Sequence, residues 1–172
     1  MAGIRDRSEV YAMEGSAVSV VIQKRYHPHN LTISKAGLEF IKGWESLRLA
    51  AYQDVGGVWT IGYGHTEMVF KGQTISPAQA ESLFRHDIFA PEKAIRDHVS
   101  VALKQSEYDA LVSFIFNLGA RNFLESTLLE KLNKMDYVGA ADEFLKWDLV
   151  HGKVSPGLSN RRRDERLVFS RP

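Results

Sequence analysis

Three side chains in the stretch KGWESLRLAAYQDVGGVWTIGYGHT, residues 42–66, have the types and spacing for acid–base chemistry: Glu45, Asp54 and Thr60. Cleaving a glycosidic bond takes one carboxylic acid to protonate the leaving oxygen. It also takes a second carboxylate to activate water or to attack directly. Glu45 follows Trp44 at the end of an apolar helical pattern, with Leu47 close by. Such apolar surroundings favour a protonated carboxyl group. Asp54 opens the turn made by Gly56 and Gly57, where a carboxylate stays hydrated and ionised. Thr60, six residues later on the returning strand, offers a hydroxyl that can hold a water beside Asp54. Paired acids in loops also arise by chance, so the chemistry alone leaves an active site and two solvated acids both open.

The elements that must position these groups can be read from periodicity and punctuation. Ser34 is a good helix N-cap, and Leu38, Ile41 and Trp44 recur at helical spacing up to Glu45 in the last turn. Residues 50–65 alternate around Gly56-Gly57 and predict a hairpin or a three-stranded sheet. Ser76, Pro77 and Gln79 supply an N-cap, a first-turn proline and a capping box for the next helix, which Pro91 is expected to break or kink. SEYDALVSFIFNLGA is apolar on nearly every face from Ala110 to Leu118 and closes at Gly119, so it predicts a buried central helix. Shorter helical patterns follow in STLLEKLN, YVGAADEFLKW and LSNRRRDERLVF. The fold class is therefore α+β, a small sheet lobe joined to a larger, mainly helical lobe with a cleft between them.

Composition narrows the function classes. With 172 residues and 44% apolar content the chain can bury a genuine core. Twenty-two Lys and Arg against 21 Asp and Glu leave a net charge of +1, which gives no support to nucleic-acid binding. There is no cysteine, hence no thiol nucleophile and no Cys-based metal site. His27 and His29 have no third ligand nearby, so they read as solvated rather than metal-binding. The apolar run SAVSVVI, between Glu14 and Lys24, falls far short of the roughly 20 residues a membrane helix needs. The acidic residues before it make a poor secretory signal. Residues 1–31 read as an N-terminal extension of unknown role, with an alternating piece at Val18–Tyr26, and residues 32–172 as the catalytic domain.

Glu45-x8-Asp54-x5-Thr60 followed by IGYGHT resembles the catalytic module of the phage-type lysozymes, glycoside hydrolase family 24. The likeness continues in order through GLEFIKGWES, ALVSFIFNLG, STLLEKLN and GLSNRRRDERLVF, covering about residues 33–170. It implies Glu45 as general acid, Asp54 as the carboxylate that activates water and Thr60 as the hydroxyl that positions that water. It implies hydrolysis of the β-1,4 bond between N-acetylmuramic acid and N-acetylglucosamine with inversion, which needs room for a water between the carboxyl groups. By position, Thr66, Phe116, Asn117 and Thr127 would line the substrate cleft. Arg161 would lie against Glu45, and His65 with Asp87 would brace the two lobes. The bland readings are that Phe116 is ordinary core and Thr127 a helix N-cap. In NRRRDER, Arg162, Arg163 and Arg166 read as solvated residues making i,i+4 charge pairs.

On this resemblance the expected protein is an endolysin acting on bacterial peptidoglycan as a monomer, with no cofactor, no metal and no stable membrane insertion. It would stay in the host cytoplasm until a holin opens a path to the wall. Two other readings compete. A lytic transglycosylase cleaves the same bond without water and can work with a single acid. A catalytically inactive wall-binding or virion component would keep the fold and lose the chemistry. The set Glu45, Asp54 and Thr60 argues against both.

Overall fold

A computed structural model describes residues 24–172 of the chain; most of the alternating piece at Val18–Tyr26 lies outside them. Helix α1 (Lys35–Trp44) starts where Ser34 accepts the Gly37 N–H and buries Leu38 and Ile41. A two-stranded antiparallel hairpin follows, β1 (Arg48–Gln53) and β2 (Trp59–Gly62), with Tyr52 opposite Thr60 and Gln53 opposite Trp59. Among the described residues there is no full third strand in this lobe. The chain after β2 returns along the other edge of β1 and makes a single bridge, Ala50 to Thr74.

Helix α2 (Pro77–His98) opens with the capping box of Ser76 and Gln79 and runs 22 residues without a break at Pro91. The expected break is absent. Phe84 and Ile88 on one side of the proline, and Ala94 and Ile95 on the other, are all buried in the same core. Tertiary burial of both halves outweighs the hydrogen bond that proline removes. Helix α3 (Gln105–Leu118) is the centre of the helical lobe and ends at Gly119, whose φ of 83° is open to glycine at little cost. Leu111, Val112, Phe114 and Ile115 on it are at most 1% exposed. Each such side chain contributes about 1.5–3 kcal/mol on burial, so this helix anchors everything packed around it.

Three short helices, α4 (Ala120–Leu124), α5 (Thr127–Asn133) and α6 (Tyr137–Glu143), lead to a 3-10 turn and a small second hairpin, β3 (Leu149–Val150) with β4 (Lys153–Val154). The N-cap of α5 is Ser126, and Thr127 is its exposed first residue, so Thr127 is not the cap. Helix α7 (Pro156–Phe169) then packs along α3. Residues 25–31 lie against this body: Tyr26 and Leu103 exchange backbone hydrogen bonds of 2.7 and 2.8 Å, and Leu31 is 6% exposed. Arg25 donates to both carboxylate oxygens of buried Glu107, at 2.6 and 3.2 Å, and stacks 3.9 Å from the Tyr137 ring centroid.

Candidate active site

Glu45 sits where α1 stops. Its N–H still bonds to the Ile41 carbonyl, but φ and ψ of −99° and 133° swing its side chain out of the helical path. It is the cap residue, one position beyond the last turn. Arg161 Nη1 donates to Glu45 Oε1 at 2.7 Å. The same guanidinium donates through Nε to Glu165 Oε1 at 3.1 Å and through Nη2 to the Ser113 carbonyl at 3.4 Å. Arg161 is therefore fixed by α1, α3 and α7 together. Leu47 is 42% exposed, so it does little to shield Glu45, whose immediate partner is a cation.

The hairpin positions the other two groups through one residue, Val58. Asp54 Oδ1 accepts the backbone N–H of Gly56 at 2.8 Å and of Val58 at 2.9 Å. Thr60 Oγ1 donates to the Val58 carbonyl at 3.0 Å. Both side chains thus bond to the backbone of the same residue, beside the tight turn that Gly57 permits at φ 79°. With Oδ1 occupied by two donors, Oδ2 is the oxygen Asp54 can offer to solvent. With its proton directed at Val58, the Thr60 hydroxyl offers only lone pairs. Thr60 is 4% exposed, whereas Asp54 is exposed.

His65 Nδ1 lies 2.8 and 3.0 Å from the two oxygens of Asp87 and is 8% exposed. The pair ties the segment after β2 to α2. Beside it is a cavity of about 350 Å³ lined by Thr66, Glu67, Pro91, Phe116 and Gly119 among others. Thr66 is exposed on its rim. Phe116 is partly buried and meets Phe84 edge-on at 5.5 Å, which makes it core on one side and cavity wall on the other. Asn117 is exposed, with its Oδ1 accepting from Arg162 Nη2 at 2.8 Å. Thr127 is exposed and has no place in this cavity.

The basic run of α7 departs from the solvated reading. Arg163 is exposed, but Arg162 and Glu165 are each 0% exposed. Arg162 Nη2 donates to Glu165 Oε1 at 3.2 Å, and its Nε approaches Oε2 to 3.0 Å without hydrogen-bond alignment. The guanidinium also lies 5.1 Å from the Phe114 ring centroid. Burial, partly offset by Glu165, pulls Arg162 down to about 10, so it remains charged at neutral pH. Arg166 reaches across to Asp142 on α6 at 2.7 Å rather than pairing along its own helix. Glu165 is the member of this buried cluster that spacing did not flag. The signal was present: positions 161, 162, 165, 168 and 169 share one helical face, and the last two are Val and Phe.

Among the described residues no three His, Cys, Asp or Glu side chains cluster as metal ligands would, and no helix is long and apolar enough to cross a membrane. The phage lysozyme family model matches residues 42–165. An endolysin from Acyrthosiphon pisum secondary endosymbiont phage 1 is 46% identical over 141 residues, covering 80% of this chain and 97% of that protein. The endolysin of Salmonella phage P22 is 42% identical over 144 residues, covering 81% and 98%. A crystal structure of a P22 lysozyme mutant matches with a TM-score of 0.73 at 42% identity, again over 81% and 98% of the two chains. With the hairpin acid, the helix-end acid and the helical lobe behind them, these matches mean that the chain belongs to the phage lysozyme family of peptidoglycan-degrading glycoside hydrolases.

Proposed function

We propose that the chain is a muramidase that hydrolyses the β-1,4 bond between N-acetylmuramic acid and N-acetylglucosamine with inversion at the anomeric carbon. The observation that supports this reading is that Asp54 and Thr60 both bond to the backbone of Val58, each keeping acceptor capacity free. A water that donates one proton to Asp54 Oδ2 and the other to Thr60 Oγ1 has a lone pair left over, aimed away from both. Asp54 takes the proton as that lone pair attacks the anomeric carbon. Glu45 protonates the departing oxygen, and the fixed Arg161 cation then faces the carboxylate that results. Attack by water on one face and departure from the other inverts the centre. Thr66, Phe116 and Asn117 are proposed to contact the sugar chain, with Thr127 as an outer contact. No cofactor enters this scheme, and a monomer suffices for it.

The test is mass spectrometry of products from purified peptidoglycan, with the first-formed anomer read by NMR. Hydrated muropeptides with reducing muramic ends and inverted configuration, absent with Glu45→Gln, are expected. Anhydro products would make the enzyme a transglycosylase and strip Asp54 of its role. No products from folded protein would favour the binding-component reading. For delivery, the proposed route is residence in the host cytoplasm followed by passage through holes made by a holin. Cells expressing the chain without a holin should stay intact; prompt lysis would instead indicate self-export involving residues 1–31.

A further inference from the structure

We infer that Glu165 is a positioning residue for the reaction: its buried carboxylate holds Arg161 against Glu45 and Arg162 against Asn117. One group thereby sets both the cation beside the acid and an amide facing the substrate. This rests on the reading of Glu45 as general acid.

Glu165 Oε1 receives three donors: Ser113 Oγ at 2.7 Å, Arg161 Nε at 3.1 Å and Arg162 Nη2 at 3.2 Å. Oε2 faces Arg162 Nε at 3.0 Å. The three donors on Oε1 and the Arg162 charge beside Oε2 favour the ionised form, although Oε2 itself has no aligned hydrogen bond. Burial pushes the carboxyl up, while Arg162, Arg161 and the Ser113 hydroxyl act against it. Burying such a cluster is a costly way to join two helices, since apolar residues of like volume do so at least as well. Its distinctive product is geometry. Arg161 is shared between Glu45 and Glu165, so its full charge is never directed at the acid. Two carboxylates and two guanidiniums sum to zero. Arg162 in turn occupies Asn117 Oδ1, which turns the Asn117 NH₂ donors outward.

Other charges near these elements are engaged elsewhere. Lys42 on α1 pairs with Glu81 on α2. On α3, Glu107 is held by Arg25 and Asp109 by Ser34 and Gln105. On α6 and the turn after it, Asp142 pairs with Arg166 and Lys146 with Glu143. Arg48 and Asp54 lie on the hairpin, with Arg48 stacked on Tyr52 and Asp54 held by the turn. Arg163 and Asp164 point to solvent.

Replacing Glu165 by Gln keeps the shape and leaves one net positive charge beside Glu45. That charge favours ionised Glu45 and weakens it as a proton donor. The alkaline limb of the pH–activity profile on cell-wall substrate should fall by about one pH unit, a drop of about 10-fold in rate on that limb. KM should rise as Asn117 loses its tether, and the Arg161 Nε–H resonance should shift. Because Glu165→Gln leaves Arg162 buried without a carboxylate partner, the double variant Arg162→Gln with Glu165→Gln is made alongside. It carries no unpaired charge, so its alkaline limb should return toward wild type, while the rise in KM and the Arg161 Nε–H shift remain. A folded variant whose pH profile and KM match wild type overturns the inference, as does an unmoved Arg161 Nε–H resonance. If the wild-type protein itself hydrolyses no wall material, the muramidase reading fails. The resonance still reports whether Glu165 holds Arg161.

Discussion

Alanine placed at two glycines of α1 should change stability in opposite directions. At Gly37 an added Cβ would stand 2.7 Å from Asp109 Cγ, 2.8 Å from Ile33 Cγ1 and 2.9 Å from Asp109 Cβ. Asp109 cannot simply yield, because it accepts from Ser34 N at 2.9 Å, Ser34 Oγ at 2.5 Å and Gln105 Nε2 at 2.9 Å. Overpacking costs about 1–3 kcal/mol, and disturbing hydrogen bonds to a carboxylate about 1.5–3 kcal/mol. Against this stands a helix-propensity gain of about 1 kcal/mol. The net is about 1.5–5 kcal/mol of destabilisation, or a melting temperature lowered by about 3–20 °C in a chain of this size. Gly43, later on the same helix, has nothing within 4 Å of the same added atom. There Ala should stabilise by about 0.5–1 kcal/mol and raise the melting temperature by about 1–4 °C. Thermal unfolding followed by circular dichroism at neutral pH compares the three proteins. If Gly37→Ala melts at or above wild type, the close α1–α3 approach at Asp109 does not constrain the fold.

Two further outcomes follow from the ion pairs. His65→Asn should keep most of its activity per folded molecule while melting lower, because the Asp87 pair is a brace; a loss as deep as that of Glu45→Gln would make it part of the chemistry. The Glu143 carboxyl is held below its ordinary 4.5 by hydrogen bonds from Lys131 and Lys146. A lowered native value adds stability that is present above 4.5 and lost as pH falls through the native value. The gap in melting temperature between wild type and Glu143→Gln should therefore close on acidification below about pH 4.5. An equal gap at pH 7 and pH 3 would show that these contacts contribute no charge-dependent stability.

Much of the fold is written in local signals. Ser34, Ser76 with Gln79, and Gly119 mark their helix ends by chemistry that needs no tertiary partner. The catalytic candidates were legible for a similar reason, because a helix end and a tight turn fix Glu45 and Asp54 within a few residues of each. Pro91 misleads because its cost is local while the burial that overrides it comes from α3 and the rest of the core. Arg162 and Glu165 mislead because i,i+3 and i,i+4 charge spacing is the same on a wet face and a buried one. What separates the two cases is the apolar company of Val168 and Phe169 on that face, together with Ser113 and Phe114 arriving from α3.

The docking of residues 25–31 also determines where force enters the molecule. A pull on the chain ahead of Lys24 is taken up by the Tyr26–Leu103 hydrogen bonds and by the Arg25 grip on Glu107 and Tyr137. Glu107 and Asn117 are ten residues apart on one rigid helix, about 15 Å along its axis. The load thus falls on the start of α3, while the hairpin carrying Asp54 and Thr60 lies outside the load path. A tether or cargo fused upstream would tug on an anchor point remote from the chemistry, and tension there would be borne without opening the site.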